Sequence, residues 1–189
     1  MSTAPQPARP DRGVELLERA LAYTRGALAS ITSAHLSRPT PCTPWRLSDL
    51  LAHMEDSLDA FTEGADGAIG LQSSAPAPVA ERVMSLQTKA CHLLGAWAAS
   101  GAANVDVGGR PVPVDTIAHL AALEITVHGW DVARSTGYDV LPPADLADRL
   151  LATAVTVALE RSEEFAPALP VSADADPATR LLALVGRRS

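Results

Sequence analysis

"ALEITVHGWDVA", residues 122–133, decides how the rest of the chain is read. Apolar residues recur at helical spacing around most of the turn. Glu124 and His128 nevertheless lie one turn apart on one face, and Asp131 shares that face a turn further on. Ile117, Leu120 and Val127 flank this polar row on one side; Ala121, Ile125 and Val132 flank it on the other. The row therefore points inward, where an acid or an imidazole is costly unless something pairs with it. His119, Ala122, Thr126, Gly129 and Ala133 occupy the opposite face, which the pattern assigns to solvent.

On spacing alone, the Glu124–His128 pair is either a buried ion pair that fixes helix register or two ligands of a metal ion. A catalytic zinc site takes three protein donors, histidine nitrogen or carboxylate oxygen among them, and keeps one position open. Inward-facing Glu and His on bundle helices are a way to build such sites. The best third donor is His53, in "LSDLLAHMEDSL", residues 47–58, at the edge of its helix's Leu/Met stripe and beside Ser57. His35 sits at a helix end, His119 faces outward, and His92 has no partner at ligand spacing.

Working outward, the same period predicts helices over residues 13–35, 47–63, 79–100, 113–135 and 144–161. Thr43 is a candidate N-cap for the second, with Pro44 at the first helical position and Ser48 as its rival. Val105 and Val107 alternate with Asp106 ahead of Gly108-Gly109, which predicts a hairpin-like excursion. Gly137 is the expected stop of the fourth helix, and "LLALV", residues 181–185, predicts a further short helix or strand that packs down. Residues 1–12 read as a disordered tail, residues 63–78 as a surface loop, and residues 13–189 as a single domain. The expected fold class is all-α: an up-and-down four-helix bundle with a short hairpin-like excursion and an extra C-terminal helix.

Composition narrows the function. A net charge of −7 with Lys89 the only lysine argues against a phosphate-tracking nucleic-acid surface. The chain has no apolar run of transmembrane length and a polar, Pro-rich start, so no membrane partner and a cytoplasmic location are expected. Two cysteines, Cys42 and Cys91, are too few for a disulfide framework, and each reads as a small buried hydrophobe. Ala-rich helix faces are compatible with a homodimer.

The blocks "TPCTPWRLSDLLAHM", residues 40–54, and "ALEITVHGWDVARSTG", residues 122–137, carry a family resemblance. A Trp-containing turn leads to L-L-x-H, and E-x-x-x-H-x-W-D-x-A follows far along the chain. The chain resembles the DinB-like superfamily, and within it the mycothiol-dependent maleylpyruvate isomerase N-terminal type of metal-binding protein. That resemblance implies a DinB-like bundle holding a divalent metal, usually Zn2+, with Ni2+ as another occupant. It implies His53, Glu124 and His128 as the ligands, and a low-molecular-weight thiol such as mycothiol as cosubstrate. Such isomerases carry a further C-terminal domain, and this chain is too short for a full one, so activity on that particular substrate is not expected.

The function expected is S-transfer to, or isomerisation of, a small electrophilic metabolite. Asp131 is a candidate to orient a ligating histidine or accept a proton; pairing with Arg134 is its alternative. Arg82 is a candidate to bind an anionic substrate group, with a solvated helix charge as the plainer reading. Trp130 reads as core and Trp45 as a plug at the bundle end. Two other functions stay open: a metal-dependent hydrolase or Lewis-acid enzyme without thiol, and a non-catalytic metal-binding stress protein.

Overall fold

Leucines at helical spacing build the walls of the core. In the second helix Leu47, Leu50, Leu51, Met54 and Leu58 all turn inward and are buried. The computed structural model describes residues 12–67, 69, 78–160 and 165–189. Within them the chain forms α1 (Arg12–Leu28), α2 (Leu47–Ala65), α3 (Val79–Ala99), β1 (Asn104–Val107), β2 (Arg110–Pro113), α4 (Val114–Thr136), α5 (Ala144–Glu160) and α6 (Pro177–Leu184). Both α3 and α4 pack against α1 and α2, giving a bundle whose ring order is α1–α4–α2–α3. Helix α5 lies against α4 and α1 and carries α6 on it. The all-α, DinB-like bundle expected from the sequence is the architecture observed. No helix among the described residues is long and apolar enough to cross a membrane.

Helix α4 departs from its sequence reading on one face. Ala122, Thr126, Gly129 and Ala133, which the pattern assigned to solvent, are buried. Helix α1 covers them: the Thr24 hydroxyl donates to the Ile125 carbonyl at 2.8 Å. A Cβ on residue 129 would meet Thr24 Oγ1 at 2.3 Å and its Cα at 3.2 Å, so glycine lets the two helices close together. Small residues leave a weak apolar signal in a periodicity count, yet close packing selects them. Only His119 of that set stays partly exposed, beside Asp115.

The first helix is shorter than expected. It ends at Leu28, and a 3-10 turn follows over Ser33–His35. Backbone bonds from Ser30 to Ala27 and from Ile31 to Leu28 tighten the chain, and the Ser30 hydroxyl donates to the Ala27 carbonyl at 2.8 Å. Serine competing for helix carbonyls in this way favours a turn over continuation. Helix α2 is capped by Arg46, not by Thr43 or Ser48; the Arg46 backbone N–H donates to Asp49 at 3.0 Å. Thr40 instead organises the preceding turn, its hydroxyl held by the Cys42 and Trp45 carbonyls.

The excursion is a two-stranded hairpin in which Val107 pairs with Arg110 across Gly108-Gly109, both at positive φ. Gly137 closes α4 at φ +92 as expected. The loop expected over residues 63–78 starts later, since α2 reaches Ala65; residues 68 and 70–77, like the tail at 1–11 and residues 161–164, lie outside the described residues. The run "LLALV" falls in α6 and just beyond it, behind an Asp176 cap that accepts from the Thr179 backbone N–H at 3.0 Å. Gly186 then takes φ +75, and a Cβ there would lie 2.5 Å from the Ala166 side chain and 2.7 Å from its carbonyl. The two ends of the C-terminal segment are thus locked to each other.

Candidate metal centre

His53 reaches the core from α2, and Glu124 and His128 from α4. Their donor atoms converge. His53 Nε2 lies 2.6 Å from Glu124 Oε1, and His128 Nε2 lies 3.0 Å from the same oxygen. All three candidate ligand atoms fall within 4.8 Å of one another, with the imidazole rings nearly perpendicular at 84°. The Ser57 hydroxyl stands 3.4 Å from His53 Nε2.

Behind this trio the polar row continues. Asp131 Oδ2 sits 2.9 Å from His128 Nδ1, and the carboxylate is completely buried. Arg187, from the segment after α6, grips the same carboxylate with Nη2 at 2.9 Å and Nε at 3.3 Å. Asp131 thus faces His128 and Arg187, while Arg134 pairs with Asp139 at 2.7 Å and does not hold it. The chain Arg187–Asp131–His128 orients the ring with Nδ1 toward the Asp131 carboxylate and Nε2 toward Glu124, where Nε2 holds a proton in the metal-free fold and would yield it to a metal.

Electrostatics bind the cluster tightly. Burial alone would raise the Glu124 carboxyl, but the imidazoles of His128 and His53 hold it well below the usual carboxylate range. Burial alone would lower His128, but Glu124 and Asp131 outweigh it and push the imidazole up to about 9. The charge demand at this spot is for a cation, whether proton or metal.

Aromatic rings form the walls. The Trp45 ring lies 4.7 Å from that of His53 and 6.4 Å from that of His128. Phe165 stacks on His128 at 6.3 Å and carries the Arg187 guanidinium over its other neighbourhood at 5.5 Å. Trp130 is core, as expected, with the Arg134 guanidinium 5.6 Å from its ring.

Cys42, half-buried, forms a second convergent group with His128 and Asp131. Burial pushes its thiol up, against the pull of Arg187. The guanidinium at Asp131 opposes a cation in that second position, so the His53–Glu124–His128 trio is the better cation site. Cys91 is exposed, contrary to its reading as a buried hydrophobe, because it lies on α3 at an open cavity rather than in the packed core.

Arg82 is neither a solvated charge nor a member of this cluster. It is buried, and its guanidinium bonds Glu55 at 2.7 Å. Arg187 and Phe165 escaped the sequence reading. The available signal was an arginine two residues past the apolar run 181–185, just after Gly186.

The family model described as the mycothiol maleylpyruvate isomerase N-terminal domain matches residues 17–133. Two uncharacterized proteins from strains of Mycobacterium tuberculosis are each 27% identical over 170 residues, covering 85% of this chain and 89% of their own length. Among solved structures, the crystal structure of the mycothiol-dependent maleylpyruvate isomerase superposes with a TM-score of 0.57 at 16% identity, covering 79% of this chain and 70% of the other. A histidine-to-alanine mutant of that isomerase gives 0.58 at 16% identity, covering 85% and 74%. The solved structures speak for the fold, and the sequence match for kinship: this chain belongs to the mycothiol maleylpyruvate isomerase N-terminal domain family.

Proposed function

We propose that this protein is a metal-dependent enzyme that uses a low-molecular-weight thiol of the mycothiol type to transfer sulfur to, or isomerise, a small electrophilic metabolite. The observation that carries the reading is the convergence of His53, Glu124 and His128 donor atoms on one point, with Asp131 and Arg187 holding His128 from behind.

The donor set fits a divalent metal. Two imidazole nitrogens and one carboxylate oxygen suit zinc, Ni2+ accepts the same donors, and three protein ligands leave a position free for chemistry. When bound, such a dication supplies Lewis acidity and stabilises the thiolate form of an incoming thiol.

The protein's own groups prepare the site for that use. Asp131 keeps the His128 proton on Nδ1, so Nε2 is available as a donor. Arg187 holds the Asp131 carboxylate through two nitrogens and prevents it from turning toward the donor trio. Trp45 flanks the His53 ring and Phe165 stacks on the buried His128 ring, which lowers the local dielectric around His128 and strengthens its charge interactions. Ser57, beside His53, is the nearest hydroxyl able to relay a proton from an entering thiol toward bulk water. Arg82 is assigned a structural role here, because Glu55 already neutralises it.

The test is metal analysis combined with thiol conjugation. Purified protein should hold close to one equivalent of divalent metal, and mycothiol should be joined to monochlorobimane faster in its presence. His53→Ala and His128→Ala should each lose both properties. Metal-dependent ester cleavage with no thiol requirement would refute thiol use, and metal content unaffected by either substitution would refute the ligand assignment.

A further inference from the structure

A cavity of about 530 Å³ opens beside the donor trio, between α1, α2, α3 and α4. Glu124 and His128 form its inner end. Its walls are Leu28, Met54, Leu58, Leu86, Leu94 and Ile125, aliphatic groups from all four helices. This volume is that of a small-molecule pocket, about 300–1,000 Å³. Two charged residues of α1, Glu18 and Arg25, border it, and both are exposed.

We propose that this cavity binds the apolar, uncharged body of the electrophilic substrate, an alkyl- or aryl-bearing molecule whose reactive carbon lies at the Glu124–His128 end. Burying an ionised group against aliphatic walls is costly without a partner. A dicarboxylate entering here would have to lay ionised oxygens against walls that carry nothing ionic between Glu18 and Arg25 on α1 and Glu124 and His128 on α4. An uncharged body loses no hydration of that kind and gains apolar burial at about 25 cal/mol per Å². The cavity therefore selects against small di-acids and in favour of hydrophobic electrophiles such as unsaturated esters or ketones.

The word substrate rests on the function proposed above; the binding itself does not, and the test separates them. N-phenyl-1-naphthylamine, a neutral fluorescent probe, is titrated into the metal-stripped and the metal-loaded full chain. Saturable binding in both forms is expected. Ala90→Trp fills the cavity from α3, and Ala22→Phe fills it from α1. Each should weaken the probe by about tenfold or more while metal content and the thermal transition stay as in the parent. Dimethyl fumarate should displace the probe and fumarate should not, since the two share a skeleton and differ in charge. No saturable binding, unchanged affinity in both filled variants, or displacement by fumarate as readily as by its ester would each overturn the proposal. If the probe binds as described while His53→Ala keeps its metal, the cavity stands and the metal reading falls.

Discussion

Helix α2 contributes to two buried charge clusters from residues only two apart, and they behave differently. Glu55 meets Arg82, one charge against one, both side chains buried and 2.7 Å apart. His53, on another face of the same helix, joins a cluster with two carboxylates, Glu124 and Asp131, and one guanidinium, Arg187. With the imidazoles neutral, as a metal would require, that second cluster carries a net charge of minus one and its donors converge; in the metal-free fold a proton on His128 fills that deficit. In the first pair the two opposite charges close on each other. Burial alone therefore does not mark a functional site; a charge surplus combined with converging lone pairs does.

The comparison is broken most forcefully by removing one partner from the closed pair. Arg82→Met leaves Glu55 buried and uncompensated, and a cost of about 3–5 kcal/mol is expected. Urea denaturation checks this, with metal content measured on the folded fraction. Stability should fall while metal binding persists, and Glu55→Met combined with Arg82→Met should recover most of the loss. Loss of metal in a well-folded Arg82→Met protein would join the two clusters and end the distinction.

The next largest effect is expected at Arg187, which touches no candidate ligand. It acts on His128 through Asp131, so it is a positioning residue. Arg187→Met should weaken metal binding by about 10–100-fold, as loss of an outer partner typically does. Chelator competition measures the affinity, and the visible spectrum of Co2+-loaded protein reports the ligand geometry. Arg187→Lys should restore only part of both, because an ammonium lacks the fork that grips both carboxylate oxygens. A Co2+ spectrum unchanged in Arg187→Met would reduce the arginine to a structural anchor.

How much of this was legible in the sequence depends on the kind of signal. Leu50, Leu51, Met54 and Leu58 announced α2 because bulky side chains recur at helical spacing. Glu124, His128 and Asp131 were legible for a related reason: polar residues stood where the period demanded apolar ones. The far side of α4 was misread, since Ala122, Gly129 and Ala133 are chosen for close approach to Thr24, and smallness looks like indifference in a single chain. Arg187 was illegible because its partner lies 56 residues away and no local period connects them. The burial of Arg82 was illegible for the same reason: its partner Glu55 belongs to another helix.

The smallest expected effect is a pH dependence in the cluster of His128 and Glu124. In the metal-free fold His128 is pushed from an ordinary 6.5 up to about 9, so it binds a proton that the unfolded chain releases. Its contribution is complete below 6.5 and fades as pH rises through 9. Glu124 has the opposite sign: its folded value lies below 4.5, so its contribution is present above 4.5 and fades as pH falls through the depressed value. Metal-stripped protein should therefore reach its highest Tm between these limits and decline toward pH 9. A metal must displace the His128 proton, so the gain in Tm on loading should grow over the same alkaline range. His128→Asn should flatten the alkaline decline. Parallel curves for His128→Asn and the parent would place the titrating group elsewhere and remove the charge surplus as the feature that separates the two clusters.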